Sequence, residues 1–293
     1  MPQDAGVACL SGSPPSTIYS EGLPSRSPNV SERRDAIVER DRTTLVPFSI
    51  EAPFIGKVND MKNRRRDFLK SSVAALALVL AAGLAQAAPK VLPPHSNAFG
   101  MGYDEHAAAW LEWITSIPNA SSPLFDVDGS YGAVGQGGKV WFLAGNTGGT
   151  MTRTITVPVG KAMFFPVINY FWVNTPELGD EPWSPEQEAF ARSVLASYMD
   201  TTQGLVLQID GRTIPNVYEF LRVNSAVGTC MLPPPADNLF GANGGPHPCV
   251  ADGFWALLPP MSAGKHTIRF AGQIPDAGFS LDLTYHVTVR RGH

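Results

Sequence analysis

Charge is scarce in this 293-residue sequence: 16% of residues are Asp, Glu, Lys or Arg, and the formal net charge is −4. That balance excludes a nucleic-acid binder driven by phosphate contacts, which needs a surplus of Lys and Arg. Cysteine is scarcer still, at three residues, none of them at the short spacings of zinc or redox pairs. Long apolar runs are missing too. The best candidate, Val73 to Leu84, has 12 residues, against roughly 20 needed to span hydrocarbon. There is no G-x-S-x-G elbow, no H-E-x-x-H, no Walker loop and no G-x-G-x-x-G with an acidic partner, so the common signatures of hydrolytic, metalloprotease and nucleotide chemistry are absent. What the chain does have is 44% hydrophobic residues, too many for a wholly disordered protein. They are unevenly placed: all six Trp and all six His follow residue 94, whereas residues 1–60 hold no Trp and are rich in Ser, Pro and Arg.

From Met61 the chain reads Lys62-Asn63-Arg64-Arg65-Arg66-Asp67-Phe68-Leu69-Lys70, then Ser71-Ser72, then the apolar run, then Ala85-Gln86-Ala87. A basic start, a short apolar stretch and a small-residue end are the three regions of a cleavable signal peptide. The core Arg65-Arg66-x-Phe68-Leu69-Lys70 resembles a twin-arginine (Tat) export signal. The resemblance implies cutting after Ala87, the Tat translocase and signal peptidase as partners during export, no stable membrane anchor, and a periplasmic or secreted product. Residues 1–60, with Ser13-Pro14-Pro15-Ser16 and Pro24-Ser25-Arg26-Ser27-Pro28, show no sustained apolar period. They read as disordered sequence, or as the result of a start misassigned upstream of Met61.

Residues 61–87 are therefore the expected signal and 88–293 the expected mature domain. Those 206 residues carry 11 Lys+Arg against 17 Asp+Glu, a net charge of −6. A chain of that size buries a sufficient core without metal or multiple disulfides, and one domain is the simplest division. Cys230 and Cys249, 19 positions apart around a Pro/Gly-rich stretch, are expected to pair.

Within the domain, Ala107, Trp110, Leu111 and Ile114 recur at helical spacing over Asp104 to Thr115, and Pro118 stops the pattern. A second helix opens with Ser184 as cap, Pro185 at the first helical position and Gln187 as box partner, with Phe190, Val194, Leu195 and Tyr198 on one face. The rest reads as strands. Val140 to Ala144 is a continuous apolar run. Met151 to Val157 alternates, with Met151, Arg153, Ile155 and Val157 on one side and Thr152, Thr154 and Thr156 on the other. Ala162 to Val173 is apolar but holds Pro166, which predicts an edge position or a bulge. Leu205 to Ile209 leads through Asp210-Gly211 into Arg212-Thr213-Ile214 as a hairpin. Phe254 to Leu258, His266 to Phe270 and Phe279 to Val289 complete about eight short strands, the last alternating with Phe279, Leu281, Leu283, Tyr285, Val287 and Val289 inward and Ser280, Asp282, Thr284, His286, Thr288 and Arg290 outward.

These patterns, without strand–helix alternation, predict a mainly β fold: an antiparallel β-sandwich or jelly roll with two helical inserts. Trp110-x-x-Trp113 to Ile117-Pro118, Val140-Trp-Phe-Leu-Ala-Gly145 and Val157-Pro-Val-Gly-Lys161 to Phe164-Phe-Pro-Val-Ile-Asn169 resemble a group of secreted bacterial β-sandwich proteins. That resemblance implies export and fold, and nothing about chemistry.

Four constellations remain. Asp237, Asn238, Asn243 and His247 lie on the Gly-rich stretch between the cysteines, with Asp252 just beyond. Asp237, His247 and Asp252 are the candidate acid/base groups of a hydrolase or lyase; Asn238 and Asn243 are candidate ligand contacts, set against an ordinary loop of Asx turns. Trp172 and Trp183 flank a Pro/Gly/acidic segment and are candidates for stacking on a sugar or apolar ligand. Among the histidines, His266 is in phase with Ile268 and Phe270 and is expected to pack at the sandwich edge. Asp126-Val127-Asp128-Gly129 has the start of a calcium loop without its distal Glu and reads as a turn. No metal site or cofactor is predicted, with a bound metal ion kept as an alternative. The leading expectation is an exported binding module for a glycan or small molecule, without nucleic-acid partners; the alternative is a secreted hydrolase or lyase acting on an extracellular polymer.

Overall fold

In the computed structural model, the described residues are 9–10 and 90–291. The Tat signal, the cleavage point and nearly all of residues 1–60 lie outside them. The elements are β1 (Cys9–Leu10), α1 (Tyr103–Thr115), β2 (Val140–Phe142), β3 (Gly149–Pro158), β4 (Ala162–Val173), α2 (Pro185–Met199), β5 (Gln203–Ile209), β6 (Arg212–Thr213), α3 (Val217–Phe220), β7 (Arg222–Asn224), β8 (Gly228–Leu232), β9 (Gly245–Leu258), β10 (Gly264–Ile274) and β11 (Phe279–Arg290).

The strands form two mixed sheets. In the first, β4 and β9 are the central pair, β1 and β2 join β4, and β7 and β8 join β9; the second runs β3-β11-β10-β5-β6. Most ladders are antiparallel, but β2 and β1 run parallel to β4, and β3 runs parallel to β11 over ten residue pairs. The all-antiparallel expectation therefore needs correcting. Parallel partners usually reveal themselves by an intervening helix, whereas β3 and β11 are brought together from opposite ends of the domain.

Alternation decides what each strand covers. Met163, Phe165, Ile168, Tyr170 and Trp172 of β4 face the core shared with Phe270, Leu283 and Tyr285 of the second sheet and with Ala191 and Leu195 of α2. Phe165 stacks on Phe270 at 5.2 Å. Phe164 and Phe171 face the other way, into a second core with Tyr103, Trp110 and Leu111 of α1. There Trp255 stacks on Phe164 at 5.4 Å and meets Trp110 edge-on at 5.5 Å. The first sheet is thus covered on both faces. Full burial of each of these rings stabilises the fold by roughly 1.5–3 kcal/mol. At Pro166, which has no N–H for a ladder, the β4–β9 register shifts before Ile168, the bulge expected from sequence.

Helix α1 opens with the Gly102 N–H donating to Glu105 Oε2 at 2.8 Å. Helix α2 opens as expected, with Gln187 N–H donating to Ser184 Oγ at 3.2 Å. Its buried face differs from the expectation: Gln187, Ala191, Leu195 and Met199 point inward, while Phe190 is 45% exposed. Val194 and Tyr198 pack half-buried against the same core, as expected, and Gln187 extends the inward stripe by donating to the Asn174 side-chain oxygen at 3.3 Å.

A buried guanidinium pins the loop before β2. Arg153, 1% exposed, donates to the carbonyls of Asp126 at 2.7 Å and Gly145 at 2.9 Å and to Tyr285 Oη at 2.8 Å. The Asp126 carboxylate accepts from the N–H groups of Gly129 and Tyr131 at 2.9 Å each. This segment is a turn, as expected, and Thr154 N–H of β3 donates to Asp128 O at 2.7 Å.

Candidate functional site

Cys230 of β8 and Cys249 of β9 form a disulfide, both fully buried, with Cα atoms 6.0 Å apart. The stretch it closes is shaped by Asn238. Its Nδ2 donates to the carbonyls of Pro233 at 2.9 Å and Ala242 at 2.8 Å, and its Oδ1 accepts from Phe240 N–H at 3.0 Å and Ala242 N–H at 3.3 Å. Every polar atom of that side chain is used to hold the loop, so it has nothing left for a ligand. Asp237 ends a short 3-10 turn and is exposed.

His247, itself buried, belongs to a polar knot that reaches the surface at Glu177 and Asn243. Its Nδ1 lies 2.8 Å from Asn174 O and its Nε2 2.9 Å from Asn243 O, with Glu177 Oε1 3.9 Å from Nε2. Glu177 in turn accepts the Asn243 N–H at 2.8 Å. Beside them, Asp180 Oδ2 accepts from Thr175 N–H at 2.7 Å and Thr175 Oγ at 3.1 Å. Burial pushes the Asp180 carboxyl above its usual range despite those bonds. Both edges of the His247 ring are occupied by protein, so the knot fastens the 174–181 turn to the disulfide loop.

Asp252 lies elsewhere. Odd-numbered residues of β9, among them Cys249 and Ala251, line the α1 core, and even-numbered ones, among them Val250 and Phe254, line the core toward α2. His247 and Asp252 therefore point from opposite faces of one strand. Asp252, fully buried, holds Arg222 in a two-pronged pair at 3.2 and 2.7 Å, and Arg222 also pairs with Asp200. Those bonds raise the guanidinium above its ordinary range. Asp237, His247 and Asp252 are not brought to one centre, and among the described residues no group of three or more His, Cys, Asp or Glu is arranged to hold a metal.

The aromatic candidates divide. Trp172 is 3% exposed, meets Phe190 edge-on at 5.9 Å and has an indole N–H without a partner. Trp183 is half-buried against the same core. Neither borders an open depression of about 370 Å³ that crosses the outward face of the second sheet. Its floor is Gly204, Ala271 and Gly272, and its rim includes Thr150, Gln273, Ser280 and Asp282. The Asp282 charge is met by Arg269 at 2.9 and 2.8 Å. Sequence reasoning marked Ser280 and Asp282 as outward-facing but had no signal that β5, β10, β11 and β3 would place small residues side by side. A smaller hollow of about 20 Å³ lies beside Asn169, Trp110 and Phe279, room for a water molecule.

No family model matches the chain, and no curated protein matches it. Among solved structures, it is similar to a chain from the structure of PbICP-C in complex with falcipain-2, at 15% identity and a TM-score of 0.20, covering 52% of this chain and 99% of that one. Among the described residues, no helix is long and apolar enough to cross a membrane.

Proposed function

We propose that the chain is an exported binding module for a neutral glycan. It is directed by the Tat-like signal, cut after Ala87, released to the periplasm or beyond, and built as a β-sandwich of jelly-roll type. The observation that carries this reading is the depression across β5, β10, β11 and β3. Its amide, hydroxyl and carboxylate rim matches the donors and acceptors of sugar hydroxyls, glycine and alanine make up most of its floor beside Leu281, and the Asp282–Arg269 pair leaves it without unbalanced charge. The hydrolase or lyase reading drew on Asp237, His247 and Asp252, which do not converge: His247 and Asp252 hold the fold from opposite faces of β9, and Asp237 lies exposed on a turn.

The test is calorimetric titration of the full chain with a panel of neutral oligosaccharides, with Ser280→Trp as the blocking variant. Ser280 is exposed on the outward face, so the variant should melt within about 2 °C of the parent. Binding that falls at least tenfold supports the reading. A panel without any binder, or binding unchanged by Ser280→Trp, overturns it. Terminal sequencing of protein recovered from the periplasm should begin at Ala88.

A further inference from the structure

At one end of the second sheet, the tip of the β5–β6 hairpin and the connection that crosses from β9 into β10 place a carboxylate, an imidazole and a hydroxyl in line. His266, at the start of β10, is 8% exposed. Its Nδ1 lies 2.8 Å from Asp210 Oδ2, and its Nε2 lies 3.4 Å from Ser262 Oγ. Asp210 is itself fixed: its Oδ1 accepts Thr267 N–H at 2.9 Å, and its own N–H donates to Thr267 O at 2.8 Å. Its φ of 51° is the left-handed conformation of the β5–β6 turn, which Asp and Asn tolerate. Ser262 is exposed on the β9–β10 turn, where a reactant can reach it.

We propose that Ser262, His266 and Asp210 form a hydrolytic centre for small carboxylic esters, separate from the depression on the sheet face. The roles follow from the order of contacts, orienting carboxylate to Nδ1 and nucleophile to Nε2. Ser262 Oγ attacks the ester carbonyl carbon while its proton passes to His266 Nε2. The carbon–oxygen bond to the alcohol breaks, and the departing oxygen takes that proton, leaving an acyl-serine. Water then attacks the acyl carbon, gives one proton to Nε2, and the bond to Oγ breaks as Oγ recovers the proton. Ser262 O lies 2.9 Å from Nε2 and can only accept, so Nε2 takes the Oγ proton once that contact opens and Oγ closes from 3.4 Å, and the carbonyl accepts again from the protonated ring formed midway. Asp210 is a positioning residue: it holds the ring so that Nε2 faces the turn.

The backbone carbonyl contact makes the test clean, because Ser262→Ala removes the hydroxyl and keeps that bond. The full chain is treated with a fluorophosphonate probe, and release of p-nitrophenol from p-nitrophenyl acetate is followed in parallel. The expected result is probe attached to Ser262, and both labelling and ester turnover lowered at least 100-fold in Ser262→Ala at unchanged melting temperature. Asp210→Asn, which keeps the turn and the Thr267 contact, should lower kcat about 100-fold or more with KM within twofold. A parent protein that stays unlabelled, or labelling and turnover equal in parent and Ser262→Ala, overturns the proposal. These outcomes are independent of glycan binding and of the Ser280→Trp result.

Discussion

The first sheet is covered on both faces, and the second on one. Strand β4 of the first sheet has eleven of twelve residues buried, whereas β11 of the second alternates buried with exposed or half-exposed positions along its whole length. The difference teaches where chemistry can reside. A strand between two cores has no outward position, so its polar residues serve the fold: Asp252 anchors Arg222, and Asn174, next to the end of β4, anchors Gln187 and His247. Accessible groups are left to the outward face and the turns of the second sheet.

That contrast can be broken most strongly in the doubly covered layer. Trp255→Ala removes a fully buried ring that contacts both Phe164 and Trp110, and should cost about 3–5 kcal/mol in urea unfolding. The double change Cys230→Ala with Cys249→Ala should cost about 3 kcal/mol by loop-closure entropy. The fold should survive, because the five residue pairs of the β8–β9 ladder and the Asn238 hydrogen bonds remain, and near-native circular dichroism would show it. Asp252→Ala leaves Arg222 facing an apolar wall; because that guanidinium is 30% exposed and can turn to water, the expected loss is about 2 kcal/mol.

The smaller effects sharpen the comparison. Asp180 has a raised pKa from burial, so the folded state holds its proton more tightly than the unfolded state does. Its contribution to stability is present below the ordinary carboxyl range near pH 4 and is lost as pH rises through the higher folded value. Asp180→Asn should flatten that limb of the stability–pH curve, measured by unfolding at a series of pH values. On the outward face of the second sheet, Thr152→Ala should change stability by no more than about 0.5 kcal/mol. A larger loss there would mean that the face is covered in solution.

The half-covered sheet was also the more legible in the sequence. The period-two pattern of β11 assigned each inward and outward residue as found, and that of β3 placed Arg153 on the buried side. The continuous run of β4 announced burial without showing that two separate cores flank it. Gly245-Pro246-His247-Pro248 read as loop because proline and glycine break ladders, yet it is the first part of β9, where Pro248 O accepts Asn174 N–H. Missing that strand hid the candidate site's geometry. Five positions apart on a strand means opposite faces, so His247 and Asp252 could not meet. The parallel β3–β11 ladder joins residues some 130 positions apart, beyond any local pattern.

Arg153 and the 126–131 turn have one consequence outside stability. Strand β3 is the border of its sheet, and a border strand is where a second molecule can add its own backbone. Here the Asp128 carbonyl already receives the Thr154 N–H, and Gly129 lies so close to Thr154 that a β-carbon on it would come within 2.3 Å of the Thr154 oxygen. The turn occupies the middle of the border, and a buried guanidinium prevents it from swinging away. A strand added across Thr154 would have to displace a turn tied to a buried charge, which guards this border in a concentrated population of these molecules against joining edge to edge.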